Sequence, residues 1–279
     1  MGEGYRWDAA PLYDNGKLRY ICLTTNPAKE TKDQIWWAAH NKYALYEEGE
    51  LIKYYGIVGT GNHNAGCYFK DDKYYFYYGA NAFTNRAKAL KEEGLAPHQT
   101  SHYAISDDGI EWDWNYRSKW QAPKKYNHKG KYAWRDPFIV KYDGFYMFMV
   151  TGGHRWFKNP QIYVARAEAL DDTWQELGPV LAEDTLALYD EIEMPYVTYV
   201  EPYWYLAFSS WNRFNRIKAS DYVWHICRSK NITGPYTFHR FEDIGLYGVQ
   251  IAGPYITGWR WVAKSTRDIF VRQVDFKWH

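Results

Sequence analysis

Three carboxylic acids stand at the head of apolar, strand-like runs. Asp8 precedes Ala9-Ala10-Pro11-Leu12, Asp136 precedes Pro137-Phe138-Ile139-Val140, and Glu193 precedes Met194-Pro195-Tyr196-Val197. Carboxyl groups gathered in one partly dry pocket raise one another's pKa values. That separates a proton donor from an ionised partner, which is what cleaving an acetal requires. A third, ionised carboxylate would stabilise the positive charge that builds on a sugar ring during cleavage. Such chemistry needs a fold that brings these three distant positions together.

A repeat supplies one. A short turn followed by an alternating aromatic strand occurs at Asp14-Asn15-Gly16-Lys17-Leu18-Arg19-Tyr20 and at Asp71-Asp72-Lys73-Tyr74-Tyr75-Phe76-Tyr77. It returns at Asp143-Gly144-Phe145-Tyr146, Glu201-Pro202-Tyr203-Trp204 and Thr257-Gly258-Trp259-Arg260. The turn positions Gly16, Asp72, Gly144, Pro202 and Gly258 stand 56, 72, 58 and 56 residues apart. The stretch Asn85 to Glu93 reads as an insertion with helical propensity and accounts for the long interval. Ala104 to Trp112 reads as strand, turn, strand. Ala165-Arg166-Ala167 before Trp174, and Cys227-Arg228-Ser229 before Tyr236-Thr237-Phe238, hold similar places. Each unit therefore has about four short antiparallel strands. The expected fold is all-β, a five-bladed β-propeller forming one domain over residues 1–279.

In a propeller the first strand of each blade lines the central channel. Eight residues before each turn anchor lie Asp8, Asn64, Asp136, Met194 and Gln250, with Glu193 one residue before Met194. These positions should converge at one mouth. Asp8, Asp136 and Glu193 are the expected reactive set. Trp7, Asn62, His63, Asn64, Trp134, Arg135 and Gln250 are the expected substrate contacts. Trp36 and Trp37 are further candidate stacking rings, and Glu191 is an alternative acid in a shifted register.

Composition excludes other classes. The 279 residues carry 34 basic and 33 acidic side chains, a formal net charge of +1. That is no footprint for a nucleic-acid backbone, and the local run Lys124, Lys125, Lys129, Lys131 reads as a solvated loop. Aromatic residues make up 20% of the chain, enough for a large core and for platforms that meet sugars. Cys22, Cys67 and Cys227 are far apart and odd in number, so buried thiols are expected rather than disulfides or a zinc site. His63, His154 and His225 read as plain hydrogen-bonding residues. No glycine loop for a nucleotide occurs, so no organic cofactor is expected. No apolar run is long enough for a membrane span, and no signal pattern opens the chain. The expected location is cytoplasmic, or secreted if a signal peptide has been removed. The sequon Asn231-Ile232-Thr233 has no meaning inside a cell.

At these residues the sequence resembles the five-bladed furanosidase superfamily: glycoside hydrolase families 32 and 68, active on fructosides, and 43 and 62, active on arabinosides and xylosides. Trp134-Arg135-Asp136-Pro137-Phe138 resembles the Arg-Asp-Pro motif of the fructosidases. Glu193-Met194-Pro195 is similar to their Glu-Cys-Pro. Asp8-Ala9-Ala10-Pro11 stands where their blade-one Asp belongs, in place of the usual Asn-Asp-Pro-Asn-Gly. Gly59-Thr60-Gly61-Asn62 loosely resembles their second-blade Ser-Gly-Ser. The resemblance implies a glycoside hydrolase acting on an oligosaccharide or small glycoside, with β-fructofuranosides favoured. Asp8 would be the nucleophile, or the base that activates water in the arabinosidase reading. Glu193 would be the acid and then the base. Asp136 would stay ionised and hold substrate hydroxyls, and Arg135 would pair with a carboxylate or a substrate oxygen. The lack of room for a second module after the fifth blade resembles the arabinosidase group instead. A non-catalytic sugar-binding propeller is the competing class. The superfamily also allows a structural Ca²⁺ in the channel, for which the sequence names no ligands.

Overall fold

Alternation along single strands builds this molecule. In Tyr74-Tyr75-Phe76-Tyr77-Tyr78, Tyr74, Phe76 and Tyr78 pack into one core and Tyr77 into the next, with Tyr75 against it. Successive side chains of a strand point to opposite faces, so one aromatic run feeds two cores. The computed structural model describes residues 6–25, 42–58, 62–81, 100–120, 134–151, 160–211, 216–217, 219–263 and 266–278.

Five antiparallel sheets follow one another along the chain. Blade one is β1 (Arg6–Asp14), β2 (Lys17–Thr24), β3 (Lys42–Glu47) and β4 (Glu50–Ile57). Blade two is β5 (Asn62–Lys70), β6 (Tyr74–Asn81), β7 (Thr100–Ser106) and β8 (Asp113–Arg117). Blade three is β9 (Trp134–Lys141), β10 (Phe145–Thr151), β11 (Gln161–Ala167) and β12 (Gln175–Pro179). A short helix, α1 (Glu183–Leu186), leads into blade four: β13 (Glu193–Val200), β14 (Tyr203–Ser209), β15 (Val223–Ser229) and β16 (Thr237–Asp243). Blade five has three described strands, β17 (Tyr247–Ala252), β18 (Tyr255–Ala263) and β19 (Thr266–Gln273). The first strands β1, β5, β9, β13 and β17 pack side by side, and β17 returns to β1, which closes a five-bladed propeller. The apolar cores lie between the blades: one joins blades five, one and two, and three more join two to three, three to four and four to five.

The expected turns hold in blades one to four. In blade five the hairpin lies at Gly253-Pro254, and Gly258 sits inside β18 opposite Phe270. Gly258 is glycine for lack of space, because a Cβ there would meet the Leu246 Cβ at 2.9 Å and the Tyr247 carbonyl at 3.0 Å. The Asn85 to Glu93 insertion, Lys124 to Lys131, Gly59 to Gly61, Trp36, Trp37 and His154 lie outside the described residues.

Every inner strand carries a bulge near its start, which breaks the pairing between Trp7 and Ala10, Ala65 and Cys67, Glu193 and Tyr196, and Tyr247 and Gln250, and in β9 opposite Phe148 and Val150. At four of these, φ is positive: Asp8 (50°), Asp136 (55°), Met194 (54°) and Gly248 (62°). The fifth, at Gly66, is a close approach: a Cβ would meet the Tyr77 and Pro137 carbonyl oxygens at 2.5 and 2.6 Å. Gly66→Ala is therefore expected to cost about 3 kcal/mol, because backbone of two strands must move. A thermal melt reads this as a lowered Tm; an unchanged Tm would contradict the close approach.

Candidate active site

The bulges set the levels at which side chains meet. Arg135, Glu193 and Tyr247 each stand immediately before a bulge, and the three are bonded together. Arg135 Nη1 donates to Glu193 Oε1, and the Tyr247 hydroxyl donates to Glu193 Oε2. One residue further, Asp8, Asp136, Met194 and Gly248 form the next level. The Met194 N–H donates to Asp136 Oδ2 at 2.9 Å. Glu193 thus shares its level with Arg135 rather than with Asp136, and Gly248, not Gln250, holds the blade-five position. Gln250 lies deeper, and its amide donates to the Gly66 carbonyl at 3.0 Å.

The expected reactive set lies in one electrostatic cluster. Asp8 is 9% exposed and Asp136 2%, and the Glu193 side chain is 14% exposed. Burial, then the neighbouring charges of Asp136 and Glu193, push the Asp8 carboxyl up to about 8, against a smaller pull from Arg267 and Arg135. Trp259 Nε1 donates to Asp8 Oδ1 at 3.2 Å. Burial pushes Asp136 up to about 6 despite Arg135, with Glu193 adding to the rise. Among the described residues its buried Oδ1 has no hydrogen-bond partner. Burial also acts to raise Glu193, but Arg135 and the Tyr247 hydroxyl outweigh it and hold Glu193 below the usual carboxylate range. Trp211 Nε1 adds a bond to Glu193 Oε2 at 3.2 Å. The second arm of Arg135 reaches Glu191 Oε1 at 3.1 Å. Glu191 is therefore a partner of the guanidinium in the same cluster. Charges stripped of water persist only when paired in this way.

Other expected contacts are placed elsewhere. Trp7 and Trp134 are buried in inter-blade cores, Trp134 edge-on to Trp120 at 4.9 Å, and neither offers an exposed ring face for stacking. Strand alternation explains Trp134: with Arg135 turned to the site, its neighbour faces the sheet's flank. His63 is buried against Tyr43 and Tyr78. The side chains of Asn62 and Asn64 lie outside the described residues. Sequence reasoning missed Tyr247, Trp211, Trp259 and Arg267. Counting eight residues back from the true turn at Gly253-Pro254 reaches Gly245 and Leu246, so spacing does not find Tyr247; the bulge between Tyr247 and Gln250 does. Trp211 and Trp259 are two among 15 tryptophans. Among the described residues, no group of three or more His, Cys, Asp or Glu could hold a metal ion.

The raised Asp8 makes a stability prediction. In the unfolded chain this carboxyl ionises at its ordinary value of 3.8, and in the folded chain at about 8. Its protonated form is favoured by folding, so its contribution is greatest below about pH 4 and is lost progressively up to about pH 8. Asp8→Asn removes that loss and keeps an oxygen for Trp259. The variant's Tm is expected to match wild type near pH 4 and to exceed it increasingly towards pH 8. A Tm difference independent of pH would contradict the assignment.

No family model matches the sequence, and no curated protein sequence matches it. Solved structures do match in fold. A variant of Bacillus subtilis levansucrase in complex with oligosaccharides has a TM-score of 0.65 and 15% identity, covering 98% of this chain and 85% of that one. A variant of the Bombyx mori family-32 β-fructofuranosidase, in complex with sucrose, has a TM-score of 0.68 and 15% identity over 97% of this chain and 60% of that one. A thermostable family-43 glycoside hydrolase has a TM-score of 0.63 and 14% identity over 99% of this chain and 91% of that one. The chain shares its five-bladed propeller fold with these structures.

Proposed function

We propose that this protein cleaves the glycosidic bond of a furanoside, with a β-fructofuranoside the favoured substrate, and passes the sugar to water or to an acceptor hydroxyl. The observation that carries the reading is the coupling of Asp8, Asp136 and Glu193 in one buried cluster around Arg135. The sugar complexes of the levansucrase and fructofuranosidase structures support it.

In this reading Asp8 attacks the anomeric carbon as a carboxylate. The bond to the leaving oxygen breaks, and Glu193 gives that oxygen its proton. Water or an acceptor hydroxyl then attacks the same carbon, Glu193 takes its proton, and Asp8 leaves as a carboxylate. Asp136 stays ionised beside the oxocarbenium-like transition state. Arg135 holds substrate oxygens or Glu193.

The resting proton sits the other way round. Asp8 is the group pushed up and Glu193 the group held down. Protonated Asp8 with ionised Glu193, and ionised Asp8 with protonated Glu193, carry the same total charge. They are two arrangements of one proton within a coupled cluster. A substrate that draws Arg135 away from Glu193 favours the second arrangement, which is the reactive one.

Asp8→Asn and Glu193→Gln should each lower kcat by at least ~10³. A panel of fructo- and arabino-oligosaccharides and aryl furanosides, followed by product release, checks this. Binding without release by the wild type would favour a sugar-binding module instead. The cluster must hold one proton while Asp136 is ionised. The kcat/KM profile should therefore fall below about pH 6 and above about pH 8. A profile flat across that window would overturn the proton-sharing account.

A further inference from the structure

One cation touches both indoles that bind the two reactive carboxylates. Trp259 Nε1 donates to Asp8 and Trp211 Nε1 to Glu193, each at 3.2 Å. The Arg267 Cζ lies 4.3 Å from the Trp259 ring centroid and 5.9 Å from that of Trp211. Trp261, perpendicular to Trp259, completes the cage at 4.4 Å. The acid next in sequence, Asp268, is engaged by Arg6 at 2.5 Å. The Arg267 guanidinium packs on tryptophan faces, and its charge acts on Asp8.

We propose that Arg267 is a positioning residue: caged by Trp259, Trp261 and Trp211, it fixes the indole N–H groups on Asp8 and Glu193. A guanidinium against an indole face is attracted by the ring's negative face. It also draws electron density from the ring, which strengthens the N–H as a donor to an anion. The groups facing Asp8 come from every packed strand. Asp136 of β9 and Glu193 of β13 oppose its ionisation, while Arg267 of β19 and Arg135 of β9 favour it. Cys22 of β2 and Tyr43 of β3 lie near it as buried neutral groups, their own ionisation pushed up by burial. Arg135 is already shared between Glu193 and Glu191. Arg267 and Arg135 both favour the ionised form of Asp8. Its consequence for turnover rests on the proposed roles of Asp8 and Glu193; its effect on Asp8 does not.

The test is a titration that needs no turnover. Protein labelled with ¹³C at the aspartate carboxyl is titrated by NMR, and the Asp8 signal is assigned by its loss in Asp8→Asn. Arg267→Gln should raise the Asp8 midpoint by about one pH unit. Arg267→Lys keeps the charge and should leave the midpoint within a few tenths of wild type. Trp261→Leu opens the cage without removing a carboxylate donor and should shift it in the same direction by less. An unmoved midpoint in folded Arg267→Gln, or an equal shift in Arg267→Lys, would overturn the proposal. If Arg267→Gln does not fold, Trp261→Leu decides: an upward shift supports the proposal and an unmoved midpoint rejects it. Failure of the wild type to cleave any furanoside would sink the catalytic reading alone, since the midpoints are still read.

Discussion

Carboxylates buried together are the constraint that shapes this molecule. Asp8, Asp136, Glu191 and Glu193 share the head of the channel with Arg135 and Arg267. Removing an ion from water costs several kcal/mol unless partners replace the lost hydration. The partners here are unequally shared. Among the described residues Glu193 receives Arg135, Tyr247 and Trp211, whereas Asp8 receives one indole N–H. The well-served carboxyl stays ionised and the poorly served one keeps its proton. That inequality pushes the Asp8 carboxyl up to about 8 while Glu193 is held below the usual carboxylate range.

The rest of the fold keeps this arrangement in place. Non-glycine residues at positive φ cost on the order of 1–3 kcal/mol each, and they persist only where surrounding structure over-determines them. Asp8, Asp136 and Met194 all take that conformation at the bulges. Each lies on an inner strand gripped on both sides by aromatic inter-blade cores. Stacked rings such as Tyr77 on Tyr103 at 5.0 Å and Tyr20 on Tyr46 at 5.1 Å tie neighbouring strands within a blade. The high aromatic content is thus spent chiefly on holding blades together.

This division explains what could be read from the chain. The blade count, the inner strands and the grouping of Asp8, Asp136 and Glu193 follow from turn residues and alternation, which are local. The fifth turn was missed because Gly258 looks like a turn glycine, while its need for space comes from Leu246 and Tyr247 across the sheet. The bulges were also hidden, and with them the meeting of Arg135, Glu193 and Tyr247. A bulge shows itself in pairing, not in composition. Trp7 and Trp134 drew attention by position, yet the indoles bonded to the carboxylates are Trp211 and Trp259, the latter itself part of the core that holds Trp7. Only tertiary contacts separate a core ring from a site ring.

The central claim is that Asp8 bonds the sugar while Glu193 manages the proton. Its most direct measurement is mass spectrometry of peptides from Glu193→Gln protein, quenched during reaction with an aryl furanoside bearing a good leaving group. The account predicts one glycosyl unit in ester linkage on the peptide that contains Asp8. Release of product with that peptide unmodified throughout, or a sugar carried on another residue, would contradict it.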